Sequence, residues 1–247
     1  MASAASGISE AGHGIDIHSA GNTLFLTWYT YNPDGSPAAY QAAAPLTGPR
    51  WHARLDSARR MADGRIEVSR AGEIELEFAS DIAATLRWRL GAATAWSSEG
   101  LSAYFFADGE PRVETTGTWF VADEPGYGVT VTRRGELTGV VMYYYDGDGV
   151  LRWALGQGGG GDVLDVPLLG FSGFCPDCDA QANPPQATPV GTLRMQFLTP
   201  ARARMWVDAG YGSGTRFVRE DVALVPINDP VDNRRATAAS ERAHPAR

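Results

Sequence analysis

Few residues in this chain have reactive chemistry to offer. Cys175 and Cys178 are the only cysteines, and His13, His18, His52 and His244 are the only histidines. All 21 basic residues are arginine, and the absence of lysine excludes Schiff-base chemistry, a phosphate-loop lysine and a lysine nucleophile. Two thiolates alone do not complete a tetrahedral zinc shell, and no His-x-x-x-His stands near them. They also lack the strand–helix setting of a thioredoxin-type pair. The preferred reading of Cys175 and Cys178 is a structural disulfide; free or metal-linked thiols and a redox pair are the alternatives. So small a ring adds little loop entropy, and it suits an oxidising compartment.

On a regular strand, His13 and His18 face opposite sides and cannot share a metal, whereas Asp16 and His18 share a face. A catalytic triad with Ser19 is not expected, because a hydroxyl adjacent in sequence points the other way; polar residues on an exposed strand face are. Asn32-Pro-Asp34-Gly35 and Asp146-Gly-Asp148-Gly149 resemble the start of a calcium loop, but a third acidic position and a bidentate glutamate are missing. The expectation is a hairpin turn, with Asp or Asn bonding its own backbone. The glycine run 156–162 precedes Val163 and Leu164 rather than a helix, so it reads as a hairpin loop, not a phosphate cradle. No catalytic residue, metal ligand or cofactor is assigned.

Aromatic residues carry the strongest signal. Tyr29 and Tyr31 share one strand face with Trp28 on the other; Tyr143 and Tyr145 share one face with Tyr144 on the other. Whichever face is inside, rings remain on the opposite one. Trp28, Tyr29, Tyr31, Tyr143, Tyr144, Tyr145 and Trp153 are therefore candidate ligand-binding residues, since rings give large contact area at low entropy cost. The alternative is that both faces are covered, by the partner sheet and by the other repeat of the chain.

The elements that position these residues come in two copies. Residues 12–40 align without a gap with 126–154 at an offset of 114, matching Gly12, Gly14 and Gly21 to Gly126, Gly128 and Gly135. Tyr29, Tyr31 and Asp34-Gly35 meet Tyr143, Tyr145 and Asp148-Gly149. A second block follows, GEIELEF at 72–78 and GTLRMQF at 191–197, and Trp88 and Trp206 sit in the comparable strands after it. A duplicated unit of about 115 residues means two similar domains, not a short-repeat solenoid. Alternation of apolar and polar residues, as in Glu73 to Phe78 and Val129 to Thr132, marks half-buried antiparallel strands. The best helix candidate, 56–63, is short and unconvincing.

The fold expected is all-β: two tandem antiparallel barrel-like or sandwich-like repeats of six to eight strands each, packed through one linker. Residues 1–8 read as a flexible N-terminus, 9–113 as repeat one, 114–227 as repeat two and 228–247 as a disordered tail. Repeat two opens with the strand-like Thr116-Gly-Thr-Trp-Phe-Val; repeat one has only a feeble 4–9 stretch there. The apolar run 222–227 is expected to fill that gap beside repeat one, with Pro226 at the strand end.

Hydrophobic residues at 44% exclude wholesale disorder, and no apolar run approaches the length of a membrane helix. A net charge of −8 without a basic stripe argues against nucleic-acid binding. Residues 1–20 lack the basic start and apolar core of a signal peptide, as the mature form of an exported protein would.

The pattern Trp119…Glu124-Pro-Gly-Tyr-Gly128, then Tyr144-Tyr145-Asp-Gly-Asp-Gly149…Trp153, resembles a tandem aromatic repeat of predicted exported proteins of Gram-negative bacteria. The Gly-Phe-Cys-Pro-Asp-Cys insertion is similar to that group too, and the resemblance covers roughly residues 9–220. It implies export and repetition, and carries no activity. Repeat one departs from it by lacking the opening Trp and the Cys insertion. Gly117-Thr-Trp119 is also similar to the first strand of lipocalin-type and avidin-type barrels.

The expected function is a non-catalytic module, secreted, periplasmic or on the cell surface, that binds carbohydrate or protein through aromatic surfaces. The alternatives are a lipocalin-like isomerase or hydrolase with an apolar barrel pocket, and a structural subunit of a cell-surface assembly that oligomerises through β edges.

Overall fold

The computed structural model of the protein describes residues 7–8, 13–80, 82–103, 109–112, 114–173, 175–178 and 185–227. Those residues form two eight-stranded meanders and no helix. The first runs β1 (Gly7–Ile8), β2 (Gly14–Ala20), β3 (Thr23–Tyr31), β4 (Pro37–Pro45), β5 (Arg50–Arg60), β6 (Ile66–Phe78), β7 (Ala83–Leu90) and β8 (Ser97–Ser102), each antiparallel to the next. The second runs β9 (Gly117–Phe120), β10 (Gly128–Arg134), β11 (Leu137–Tyr145), β12 (Leu151–Gly159), β13 (Val163–Ser172), β14 (Gln186–Thr199), β15 (Arg202–Ala209) and β16 (Phe217–Pro226). The all-β architecture of two barrel-like repeats is as the sequence predicts; the first, barrel one, is a curled sheet whose ladder stays open, and the second, barrel two, is a closed barrel. The 56–63 stretch is strand and turn: Trp51, Ala53 and Leu55 alternate inward along β5, and the residues beyond pair with β6.

Repeat two closes completely, because β9 pairs with both β10 and β16. This overturns the expectation that 222–227 crosses to repeat one. The last pairs of β16, Val225 to Phe120 and Pro226 to Trp119, complete its own barrel, and Pro226 does end the strand. In repeat one the place of β9 belongs to β1, paired with β2 and lying beside β8. Gly7 and Ile8, inside the stretch 1–8 that the sequence reads as a flexible N-terminus, thus form a short strand of the first sheet; residues 1–6 lie outside the described residues. The 228–247 tail lies outside the described residues.

Each barrel is filled along its axis. Trp28, Trp51, Trp88, Leu55, Ile74 and Leu86 pack together in the first; Trp119, Met142, Tyr144, Met195, Met205 and Phe197 do so in the second. The glycine run 156–162 is strand rather than loop over its first four residues, which pair with β11 as the end of β12, and the turn beyond them is pinned. Buried Arg133 donates to Gly160 O, to Gly161 O at 2.8 Å and to Thr115 Oγ1 at 2.9 Å, which closes that end of the barrel.

The two barrels do not hang on a single linker. The outward faces of β3, β4, β11 and β12 meet in a third core of Tyr29, Tyr31, Ala39, Tyr145, Leu151 and Trp153. Equivalent residues line it from both sides, Tyr31 and Tyr145 among them, as an isologous interface requires. Each barrel also reaches across. Beyond β-bulges at Leu55/Asp56 and Leu168/Leu169, the β5–β6 and β13–β14 hairpins form arms. Arg60 N donates to Gly149 O at 2.9 Å from one arm, and Gly173 N donates to Gly35 O at 3.1 Å from the other. The two Asp-Gly turns are therefore docking points for the partner repeat's arm.

Candidate functional site

The seven aromatic candidates are not an exposed ladder. Trp28 belongs to the core of barrel one and Tyr144 to that of barrel two, while Tyr29, Tyr31, Tyr145 and Trp153 are buried in the seam and Tyr143 packs against it, half-buried. The structure takes the alternative course: both faces of these strands are covered, one by the barrel's own core and the other by the other repeat. Trp119, Trp153 and Tyr127, which carry the family resemblance, are likewise packing residues; Trp119 Nε1 donates to Thr115 O at 3.1 Å and Tyr127 Oη to Glu124 Oε2 at 2.9 Å.

The remaining candidates also have packing partners. Cys175 and Cys178 are joined as a disulfide, their Cα atoms 5.1 Å apart, at the tip of the β13–β14 arm. That tip lies on the mouth of barrel one, where Asp177 Oδ1 accepts from Trp88 Nε1 at 3.0 Å and Ser97 Oγ at 2.8 Å. Beside it, His13 Nδ1 accepts from Trp28 Nε1 at 3.0 Å, and its Nε2 lies 3.2 Å from Glu99 Oε2. Asp16 and His18 share a face as expected, but the face is buried, not exposed.

In the Asp-Gly turns the carboxylates serve the backbone. Asp34 Oδ1 accepts from Ser36 N, whose bonds hold its carboxyl below the usual range; Asp146 Oδ1 accepts from Asp148 N and Val150 N, and its Oδ2 from Arg152 Nε at 2.7 Å. Melting in chelator and in millimolar calcium is therefore expected to agree within error; a large rise in Tm with calcium would contradict this assignment.

An indole outside both cores is one the aromatic count passed over: Trp206, half-buried on the outer wall of barrel two. Along β15, Ala203, Met205, Val207 and Ala209 point into the barrel, so Trp206 stands on the wet side with Arg202, Arg204 and Asp208. Counting from Gly72 and Gly191, the partner of Trp88 is Val207, not Trp206: Ile74 faces Trp88 and Leu193 faces Val207. Trp88 and Trp206 thus occupy comparable strands on opposite faces. The signal was available in sequence, because period-two alternation already sets Trp206 out of phase with its apolar neighbours.

Around Trp206 the outer face of barrel two is built from planar polar groups. Asp165, Arg194 and Trp206 form one row across β13, β14 and β15, with the Arg194 guanidinium 5.7 Å from the indole centroid. Opposite Trp206, β16 carries an extra residue, since Met205 pairs with Val222 but Val207 with Arg219. Asp221 sits in that bulge at φ 56°, the only non-glycine residue with positive φ among those described, and Arg204 pairs with its carboxylate. On the other side Arg216 Nε donates to Asp208 Oδ1 at 2.5 Å. Charges balance here: Arg194, Arg202, Arg204 and Arg216 face Asp165, Asp208, Glu220 and Asp221. Trp96, half-buried on barrel one, already has two partners, with the Arg89 guanidinium 4.9 Å from its centroid and the His52 ring edge-on at 6.3 Å.

Fold and site together define a class: a tandem all-β protein of two filled, barrel-like repeats, the second closed, fused through an aromatic seam, with one indole-centred polar platform on the outer wall of the second. Comparison with known protein families, curated proteins and solved structures gives no match for the chain. No helix among the described residues is long and apolar enough to cross a membrane.

Proposed function

We propose that the protein is an exported binding module that holds a neutral carbohydrate on the Trp206 platform of barrel two. The observation that carries this reading is Trp206 itself: a large apolar ring on the water side of an alternating strand, bordered by Arg194 and by a strained bulge. An indole offers a flat face for the C–H side of a sugar ring, while Asp165, Arg194 and Gln196 present planar donors and acceptors for its hydroxyls. Balanced charge on the platform favours an uncharged ligand over a polyanion or a basic peptide. Export is supported by the Cys175–Cys178 disulfide, which persists where the surroundings are oxidising, and by the resemblance to exported repeats.

The test is affinity electrophoresis and calorimetry against a panel of neutral polysaccharides. Wild-type protein is expected to bind at least one member, and Trp206→Ala to weaken that binding by at least about tenfold, a difference of about 1.4 kcal/mol. Melting temperature should barely change, because the ring is outside both cores. Failure to bind any neutral polysaccharide, or equal binding by Trp206→Ala, would remove this reading.

A further inference from the structure

Along the outward face of β2, Asp16 and His18 follow one another with a single residue between them, and both are buried, at 2% and 9% exposure. Where repeat two repeats this strand it carries Thr130 and Thr132, which never ionise. Asp16 lies at the seam between the barrels. Facing it are Tyr29 of β3, Tyr143 of β11 and Thr130 of β10, which in turn touches Thr118 of β9 at 3.4 Å. None of these is a cation, and no ion pair to Asp16 forms among the described residues. Asp16 Oδ2, Tyr29 Oη and His18 Nε2 are all buried without a hydrogen-bond partner. Among the described residues no cation stands on this face to compensate a charge on either side chain; it is hydroxyls, those of Tyr29 and Thr130, that come near Asp16.

Burial without a counter-charge acts on an acid and a base in opposite directions. It pushes the Asp16 carboxyl up to about 6, a rise that the nearby hydroxyls of Tyr29 and Thr130 temper. It pushes His18 down to about 4. Between about pH 4 and 6 the folded chain therefore holds a proton on Asp16 that the unfolded chain has lost. Over nearly the same range it lacks a proton on His18 that the unfolded chain still holds. The Asp16 contribution to stability falls as pH rises, the His18 contribution climbs, and the two slopes cancel.

We propose that Asp16 and His18, buried side by side on the outward face of β2, form a compensated proton pair that keeps folding of the chain indifferent to acidity between weakly acid and neutral conditions. Folding in this range moves a proton from the histidine to the carboxylate with no net uptake or release. Either residue alone would be a pH switch; together they remove one.

The experiment is urea unfolding of the full chain at intervals from pH 4 to 6.5, read as the difference between variant and wild type. Asp16→Thr, which copies Thr130, leaves His18 uncompensated. Its unfolding constant relative to wild type should fall about tenfold per pH unit as pH rises. His18→Thr, which copies Thr132, should show the opposite, a rise of about tenfold per unit. The double variant should return to a flat difference. Asp16→Asn and His18→Gln keep the side-chain shape and serve if a threonine variant folds poorly; the same two slopes are expected. Flat differences for both single variants, or slopes of the same sign, would overturn the pairing. NMR titration of the His18 ring in Asp16→Asn should place its midpoint well below that of a free histidine; an ordinary midpoint would equally overturn it.

Discussion

Trp153→Ala is expected to cost about 3–5 kcal/mol, the range for deleting a buried indole, and to split one cooperative unfolding transition into two. Trp153 is the central side chain of the seam. Its ring lies 5.7 Å from both Tyr29 and Tyr31 of the other repeat and stacks on Phe171 at 5.6 Å. The indole N–H donates to Thr30 O at 3.2 Å and Ala38 O at 3.1 Å, two carbonyls that belong to barrel one. Truncation therefore leaves a cavity between the barrels and also removes a donor that crosses it. Neither barrel's own core is touched, because Trp28 and Trp51 on one side and Trp119 and Met142 on the other pack independently. Loss should fall on the coupling between the barrels more than on either barrel alone. Calorimetry would show this as two resolved peaks, with the wild type giving one. A single peak shifted as a whole would mean that the seam is not what makes the two repeats unfold together.

The repeat, the strand pattern and the turns were legible because each rests on local chemistry. Alternation fixes which residues share a face, and Asp-Gly marks a hairpin wherever it stands. What covers a face is not local. Tyr29 and Tyr31 read as free aromatics because nothing within their own strand says that another barrel lies against them. A clue did exist in the duplication. The same tyrosines recur at the same offset in both halves, and a two-fold interface needs matching patches on both partners. The same clue applied to the Asp-Gly turns, whose Gly35 and Gly149 carbonyls each receive the opposite arm.

Trp88 and Trp206 do sit in comparable strands, but counting from Gly72 and Gly191 sets them one position out of register, and a one-residue slip exchanges inside for outside. The expectation for 222–227 is the one that fails. The run at 222–227 invites a place beside repeat one because only a feeble stretch opens that repeat, while 116–121 looks like a finished strand. In fact a four-residue β9 needs β16 on one side and β10 on the other to close the barrel. Asp16 and His18 were legible as a face but not as a buried one, since charged or polar types at alternate positions ordinarily mark the wet side of a strand.

Gly191→Ala and Gly72→Ala are each expected to cost at least about 3 kcal/mol, the upper end for overpacking a close-packed interior, and each should act on its own barrel. The second repeated block begins with these two glycines. Each follows the bulge that starts its arm, where one strand crosses its neighbour at unusually short range. A Cβ on Gly72 would overlap the Arg89 carbonyl oxygen, and one on Gly191 would overlap that of Asp208 and lie 2.8 Å from the Ala209 Cα. Neither residue has positive φ, so backbone conformation is not the reason for glycine here; the obstacle is backbone, which cannot rotate aside as a side chain can. Gly21 and Gly212 are the contrast. Their φ values are +58° and +57° with open space around them, so alanine meets only the left-handed strain of about 1–2 kcal/mol. Urea denaturation of the four variants should separate the pairs, and hydrogen exchange should localise them. Protection is expected to fall in β6 and β7 for Gly72→Ala and in β14 and β15 for Gly191→Ala. If all four variants cost the same, the close crossing would not be what fixes glycine at the head of that block.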